Sequence, residues 1–453
     1  MRAILRGGLF AVCLTVPGSP VARASHALGS AGDLRPLSVT SPGGGETWAV
    51  ESKHFICWLG YPKSDGNTVK IELTTDGGKT WVMVAATAPN TGRFLWKVPA
   101  RVSATCKIRL RASKRAMSAQ SHSTFAITPS QARSYEWTSV TRKAAFAPRD
   151  GAGALTFKGR MWLLGGWNPS DKKSFPRICN NEVWSSADGR SWTLEKPNTF
   201  LNMTFDPTRD WEGRHTAGYV VFQGRMWIVG GDVNQGHYHF DIWNSADGKV
   251  WSQVNKGRSV PWGPRALHYT VVFNNKIWVM GGQTIPSLAG APERFYRDVW
   301  ITVDGIAWQR VTPREPYWSS RGMIGGSAVF KNRIWLLGGG TYDTPKVPTR
   351  QFFNEVWSTI DGVSWQRHGQ MAPWEPRQYH DVAVFDGRLW VLEGYNQKNR
   401  NDVWYSADGT NWYEVPDTPW KPRHAASVFA HDNALWMVAG NNMESDVWKL
   451  RRK

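Results

Sequence analysis

A chain of 453 residues, 41% of them hydrophobic, is too long for one ordinary core and carries enough apolar material for a packed interior. Its formal net charge of +19 favours acidic partners. The composition departs from the ordinary in tryptophan: 28 Trp alongside 44 Gly suit short strands, tight turns and large rings between sheets, an all-β arrangement.

The chain opens with Arg2 and Arg6, an apolar run from Leu9 to Val16, Pro17 and Gly18, and the small-residue site Ala22-Arg23-Ala24. This reads as a signal peptide, residues 1–24, cleaved after Ala24. The run is too short for a permanent span, and no later stretch approaches about 18 continuous apolar residues. The expectation is an extracytoplasmic protein, periplasmic or secreted, with no transmembrane segment. Cys13 falls in the signal, and its flanks do not resemble a lipoprotein cleavage box. Cys57, Cys106 and Cys179 remain, of which at most two can pair. Cys57 and Cys106 are the candidates for a disulfide, although strand alternation can put them on opposite faces; Cys179 is expected to be a buried free thiol.

From 36 to 128 the chain shows strand-like runs at Phe55 to Leu59, Val69 to Leu73, Trp81 to Ala85 and Lys107 to Ala112. With Pro42-Gly43-Gly44-Gly45-Glu46-Thr47-Trp48, Asp76-Gly77-Gly78-Lys79-Thr80-Trp81 and Pro89-Asn90-Thr91-Gly92, it resembles immunoglobulin-like β-sandwich modules of bacterial secreted proteins. That resemblance implies a spacer or attachment role. Residues 129–134 read as a linker.

Repeats dominate residues 135–453. Six segments share a polar turn, an aromatic strand and a Gly pair, each with a Trp at the same place: Trp162, Trp227, Trp278, Trp335, Trp390 and Trp436. Their intervals of 65, 51, 57, 55 and 46 residues accommodate a four-stranded blade with loops of variable length. A second Trp follows in each copy (Trp184, Trp243, Trp300, Trp357, Trp404, Trp448), and in the first five a third comes eight residues later, at Trp192, Trp251, Trp308, Trp365 and Trp412. Asp-Gly turns such as Ser186-Ala187-Asp188-Gly189 link the last two, because glycine takes positive φ at no steric cost. The sixth copy ends five residues after Trp448. Tyr135 to Val140 matches the missing fourth strand, so the ring is predicted to close by pairing its first strand with its last blade, giving six blades and no open edge.

The Gly pair, the aromatic strand and an Arg opening each copy resemble kelch repeats of the galactose-oxidase central-domain type, over 319 of the 453 residues. Glu393 and Ala439 depart from the pattern, replacing the first glycine in copies five and six. The fold class expected is all-β, a six-bladed β-propeller preceded by an immunoglobulin-like β-sandwich. The Ser-x-Asp-Gly-x-x-Trp turns also resemble sialidase Asp-boxes, which imply no activity. Alternating strands put turns 1–2 and 3–4 on one face and the longer 2–3 and 4–1 loops on the other. The long loops mark the expected binding face.

Strand 1 of each copy begins with an arginine: Arg149, Arg214, Arg265, Arg321, Arg377 and Arg423, five of them 13 residues before the strand-2 Trp and Arg321 14 before, so that the fourth is expected to point elsewhere. Three residues earlier stands an aromatic: Phe146, Trp211, Trp262, Trp318, Trp374 and Trp420. One reading is scaffold, with Arg bonding loop carbonyls. The other, implied by the kelch resemblance, is a cationic, aromatic-rimmed ligand surface, since Arg grips carboxylate or sulfate and Trp stacks on sugars. The ligand-binding candidates on that reading are Arg149, Arg214, Arg265, Arg377, Arg423, Trp211, Trp262, Trp374, Trp420, His215 and His380. His237-Tyr238-His239 between Asp232 and Asp241 is a minor metal candidate, and no metal or other cofactor is expected.

Residues 36–134 and 135–453 each carry a net charge of +8. The function expected is that of a secreted binding or interaction protein whose long-loop face engages an acidic glycan, a cell-envelope polymer or another extracytoplasmic protein; export removes nucleic acid as a partner. An acidic-sugar mutarotase or epimerase, or another carbohydrate-active enzyme, is the enzymatic alternative; the first would draw acid/base groups from His215, His380, Asp381 and Glu393 beside Arg214 and Arg377. A structural module without a small ligand is the third reading.

Overall fold

The computed structural model describes residues 37–59, 67–113, 117–170, 178–232, 238–284, 293–322, 326–341 and 350–453, which form strands and turns and no helix. The expected signal peptide, with Cys13, and His237 lie outside the described residues.

Residues 37–128 form two sheets around one core. Lys53–Leu59 pairs with Ser38–Ser41 on one side and Arg93–Lys97 on the other. The second sheet runs in the order Thr47–Ala49, Phe125–Thr128, Ser103–Ala112, Thr68–Thr74, Val82–Pro89. Alternation turns Ile56, Trp58, Val69, Ile71, Ile108, Leu110 and Ile127 inward onto Trp48 and Trp96. Cys57 and Cys106 are on strands of different sheets and are both free thiols, as is Cys179. The stretch 129–134 is tied down: the Gln131 and Arg133 amides donate to the hydroxyls of Tyr413 and Tyr405, at 3.0 and 2.8 Å. The Ala49 amide likewise donates to Asn411 Oδ1 at 2.7 Å.

Among the described residues the remaining strands make five four-stranded antiparallel sheets and one further set of four, Asp381–Phe385, Arg388–Leu392, Val403–Ser406 and Trp412–Val415, which the Lys53–Trp412 bridge joins to Lys53–Leu59; two short two-stranded pairs lie in the loops. The first strands of the six sets of four are Gly153–Phe157, Gly218–Phe222, Tyr269–Phe273, Ser327–Phe330, Asp381–Phe385 and Ser427–His431. Each first strand lies beside the next, and that of the sixth sheet beside that of the first, so the sheets close into a ring: a β-propeller. The outer strand of the sixth sheet is Tyr135–Thr141, which pairs with Val447–Arg452 in the register Tyr135 to Arg452 through Ser139 to Trp448.

Repeated tryptophans lock neighbouring sheets. The strand-2 Trp donates its indole N–H to the carbonyl five residues back, as in Trp162 to Phe157 and Trp436 to His431, both 2.9 Å. Its ring is covered by the Asp-Gly turn of the following sheet. A Cβ placed on Gly248 would stand 2.2 Å from Trp162, one on Gly409 2.2 Å from Trp335, and one on Gly189 2.3 Å from Trp436 across the closure. The sixth sheet has no such turn. Trp390 is met instead edge-on by Tyr135, at 4.8 Å between ring centres.

Gly248→Ala combines this clash with a φ of +76°. Its expected cost is about 2–5 kcal/mol from left-handed strain plus overpacking. Gly224→Ala, at φ +70° with open space around it, isolates the backbone component at about 1–2 kcal/mol. Urea melts of the two variants should separate accordingly.

Candidate functional site

Each ring arginine is buried, with 0–1% of its surface exposed, and each is clamped in the same way. One Nη donates to the carbonyl of the first residue of the Gly pair: Gly165, Gly230, Gly281, Gly338, Glu393 and Ala439, at 2.7–3.1 Å. The guanidinium also meets the carboxylate that begins strand 3: Arg149 to Glu182, Arg214 to Asp241, Arg265 to Asp298, Arg321 to Glu355, Arg377 to Asp402 and Arg423 to Asp446, at 2.6–2.7 Å. With aspartate the pair is a two-point fork, Arg377 holding Asp402 at 2.8 and 2.6 Å. The strand-3 Trp two residues on donates its indole N–H to the same carboxylate, Trp404 to Asp402 and Trp448 to Asp446 both at 2.6 Å. Burial works against the charged form of Asp402, but Arg377 outweighs it and holds this carboxyl below its usual range.

This geometry assigns the arginines to the scaffold. Arg149, Arg214, Arg265, Arg377 and Arg423 present no guanidinium edge to the face, because every one is desolvated and neutralised within its own sheet. Arg321 makes the same contacts despite its longer spacing, so the fourth copy does not diverge. Trp211, Trp262, Trp374 and Trp420 are equally buried. Each meets the outer-strand Trp of its own sheet edge-on, at 5.5–6.1 Å: Trp251, Trp308, Trp412 and, for Trp420, Trp137. His380 is enclosed, its Nε2 3.0 Å from the Leu337 carbonyl of the preceding sheet. Burial brings it, like His268, down to about 3, neutral at ordinary pH.

Of the expected ligand-binding residues only His215 reaches the mouth. The mouth is built from the positions just after each arginine and just after each Gly pair, which bridge as Asp150 with Trp167, His215 with Asp232, Ala266 with Gln283, Gly322 with Gly340, and Gln378 with Tyr395. The next residues turn to positive φ (Gly151 56°, Thr216 54°, Leu267 59°, Tyr379 56°, Ala425 51°). This turn lets backbone amides link sheet to sheet around the axis: Gly151 to Ala425 at 3.0 Å, Thr216 to Gly151 at 3.2 Å, Leu267 to Thr216 at 3.1 Å, Ala425 to Tyr379 at 2.8 Å. Above this collar sit polar groups from three sheets. His215 Nδ1 pairs with Asp232 Oδ1 at 2.8 Å, Asn441 Nδ2 donates to Asp150 Oδ2 at 2.8 Å, and Trp167 stacks over the His215 ring. Burial opposes a charged His215, but Asp232 outweighs it and carries the imidazole well above its ordinary range. Burial raises Asp150 to about 6. Cys179 Sγ lies 3.9 Å from His215 Nδ1, a thiol pushed up by burial. On the opposite rim stand Tyr395 and Asn396, with the Arg350 guanidinium 5.4 Å from the Tyr395 ring.

Three of these groups keep unspent hydrogen-bonding capacity among the described residues: Asp150 Oδ1, Trp167 Nε1 and Gln378 Nε2. Asp150, Trp167, Asp232 and Asn441 were not singled out from sequence as ligand contacts. Their signal is positional: each directly follows a repeated Arg or Gly-pair position, at the sites where the copies differ most. Asp381 and Glu393, two of the candidate acid/base groups, lie against each other. Burial lifts both carboxyls, Asp381 to about 7. Among the described residues no group of three or more His, Cys, Asp or Glu is placed to hold a metal.

The ring of sheets defines a β-propeller, and its repeats are similar to those of kelch-domain proteins. The chain is 25% identical over 176 residues to the leucine-zipper-like transcriptional regulator 1 homolog of Drosophila melanogaster, covering 36% of this chain and 17% of that protein. It is 22% identical over 249 residues to the mouse kelch domain-containing protein 1, covering 50% of this chain and 56% of that one. The chain thus spans less than two thirds of the length of either relative. A solved structure described as that of YjhT is similar at a TM-score of 0.49 and 13% identity, over 68% of this chain and 95% of that one. No protein-family model matches the chain.

Arg377→Ala leaves Asp402 charged and unpaired, and should cost about 3–5 kcal/mol in a urea melt. Arg377→Lys should recover little, since an ammonium cannot supply the fork. His268 and His380 contribute a pH dependence, as do His54 and His424, which burial also brings to about 3. Their folded values of about 3 lie below the ordinary 6.5, so between these limits the unfolded chain binds more protons and stability falls as pH drops. The slope is about 1.4 kcal/mol per pH unit for each histidine. Melts between pH 7 and 4 should show it, and His380→Gln should make it shallower. Asp381, raised to about 7, has the opposite sign: its contribution is complete below about pH 4 and is lost as pH rises through 7.

Proposed function

We propose that the chain is an extracytoplasmic binding protein whose propeller mouth holds a carbohydrate, with residues 1–24 as its export signal. On this reading the six sheets are the six blades, and residues 37–128 are an immunoglobulin-like module that spaces or attaches the propeller. The observation that carries it is the mouth itself. Buried donors and acceptors at Asp150, Trp167 and Gln378 lack protein partners among the described residues, and Trp167 and Tyr395 offer partly exposed ring faces beside them. Buried polar groups are normally satisfied, and aromatic faces with convergent polar groups suit a hydroxyl-rich ring. An acidic sugar is favoured by the Arg350 guanidinium at the rim rather than by the ring arginines. An extracytoplasmic protein presenting acidic side chains is the other partner this mouth would admit.

A second reading has one observation in its favour. Asp150, held near 6 within the reach of a charged His215, is suited to proton transfer at neutral pH, as a mutarotase or epimerase of acidic sugars requires.

A glycan array of neutral, uronic, sulfated and sialylated sugars tests both. Trp167→Ala should weaken a hit by about tenfold or more, the loss typical of a central aromatic contact, with an unchanged melt. Asp150→Asn that keeps binding and abolishes conversion of the bound sugar would move the assignment to an enzyme. An array that stays blank for the folded protein would leave the protein partner.

A further inference from the structure

Four of the 13 cations in residues 36–134, Lys70, Lys107, Arg109 and Arg111, lie together on one sheet surface. On Ser103–Ala112, alternation sends Ile108 and Leu110 into the core and Lys107, Arg109 and Arg111 to the outer face. Side chains two apart on a strand stand about 6.6 Å from one another, so the three cations form a row about 13 Å long. The neighbouring strand Thr68–Thr74 places Lys70 opposite Arg111 and Glu72 opposite Arg109. Four cations therefore surround one acid.

That acid organises the row rather than cancelling it. A single oxygen, Glu72 Oε2, accepts from Arg109 Nε at 2.7 Å and Arg111 Nε at 2.9 Å. Both guanidiniums are thus held by their Nε edges, and their Nη edges have no hydrogen-bond partner among the described residues. The hydrogen bond from Arg109 leads the effects that hold the Glu72 carboxyl below its usual range, so it stays ionised and the clamp persists. Arg109 is further fixed with its guanidinium 4.0 Å from the centre of the Trp81 ring, itself pinned by an indole hydrogen bond to the Gly78 carbonyl at 3.1 Å. Pre-orientation of this kind lowers the entropy lost when an anion is gripped.

The strand Ser118–Gln120 sets neutral polar groups along the other side of the row, Gln120 opposite Arg109 and Ser118 opposite Arg111, both exposed. We propose that this face of the N-terminal sheet is a docking surface for a linear acidic polysaccharide, with carboxylates or sulfates on Lys107, Arg109 and Arg111 and the intervening hydroxyls on Ser118 and Gln120. The row is one chain wide, and its fixed spacing follows the strand, which suits an extended polymer with regularly placed charges. This surface is independent of the propeller mouth. It would let the protein be retained on an acidic matrix while the mouth stays open to its own ligand.

The test is binding of the full chain to immobilised polygalacturonate and dextran sulfate, with neutral dextran as reference, at two salt concentrations. Lys70→Glu/Arg111→Glu, both exposed positions, should weaken binding at least tenfold and reduce the salt dependence in protein that keeps a cooperative melt. Trp167→Ala should leave this binding intact, which separates it from the mouth. The charge-matched control Lys143→Glu/Arg190→Glu, on exposed propeller residues, should change it less than twofold. The proposal is overturned if the control loses as much as the sheet variant, if neutral dextran binds equally, or if anionic vesicles or duplex DNA bind more tightly than either polysaccharide.

Discussion

The propeller depends on a buried knot made six times: an arginine, a carboxylate and an indole N–H. Each guanidinium gives up water and recovers it through fixed partners, a carbonyl from the end of strand 2 and a carboxylate from the start of strand 3. An incomplete set would leave an uncompensated charge in the interior, so the knot specifies geometry as well as holding it. The carbonyl it draws inward belongs to the first residue of the Gly pair. This explains the left-handed backbone there, kept even by Glu393 at φ 50° and Ala439 at φ 54°. Where glycine is absent, the arginine still dictates the turn.

With that corner rigid, the residues just beyond it can vary without loss of fold. Asp150 and Trp167 in the first sheet, His215 and Asp232 in the second, and Gln378 and Tyr395 in the fifth occupy the same backbone bridge with unlike side chains. The collar of sheet-to-sheet amide bonds beneath them brings the three sets to one mouth. Constancy and variation thus separate by one residue: the arginine is buried within its own sheet, and its neighbour lies at the mouth.

Charge divides in a similar way between the two parts of the chain. The propeller consumes its ring arginines internally, so its net charge of +8 says little about its mouth. The N-terminal sheet leaves its cations outward, clamped by Glu72 and backed by a core of Ile108 and Leu110. Equal net charges thus carry different meanings, because one set is buried against carboxylates and the other is lined up in water.

Much of the architecture is local and was legible in the chain. The strand-2 tryptophans, the Asp-Gly turns and the displaced strand at Tyr135 follow from periodicity and turn chemistry, which act within a few residues. Trp137 could even be matched to the outer-strand tryptophans before its contact with Trp420 was visible. Whether Arg214 or Arg377 met a ligand or a carboxylate could not be read from spacing, because Asp241 and Asp402 lie 27 and 25 residues further on. Nor could the free state of Cys57 and Cys106, which belong to different sheets, or the assembly of Asp150, His215 and Asn441 at one mouth. Sequence determines which residues repeat, since repetition needs only local chemistry. Only the assembly of strands into sheets decides which charges are buried against each other and which are left facing solvent, because that pairing joins side chains far apart along the chain.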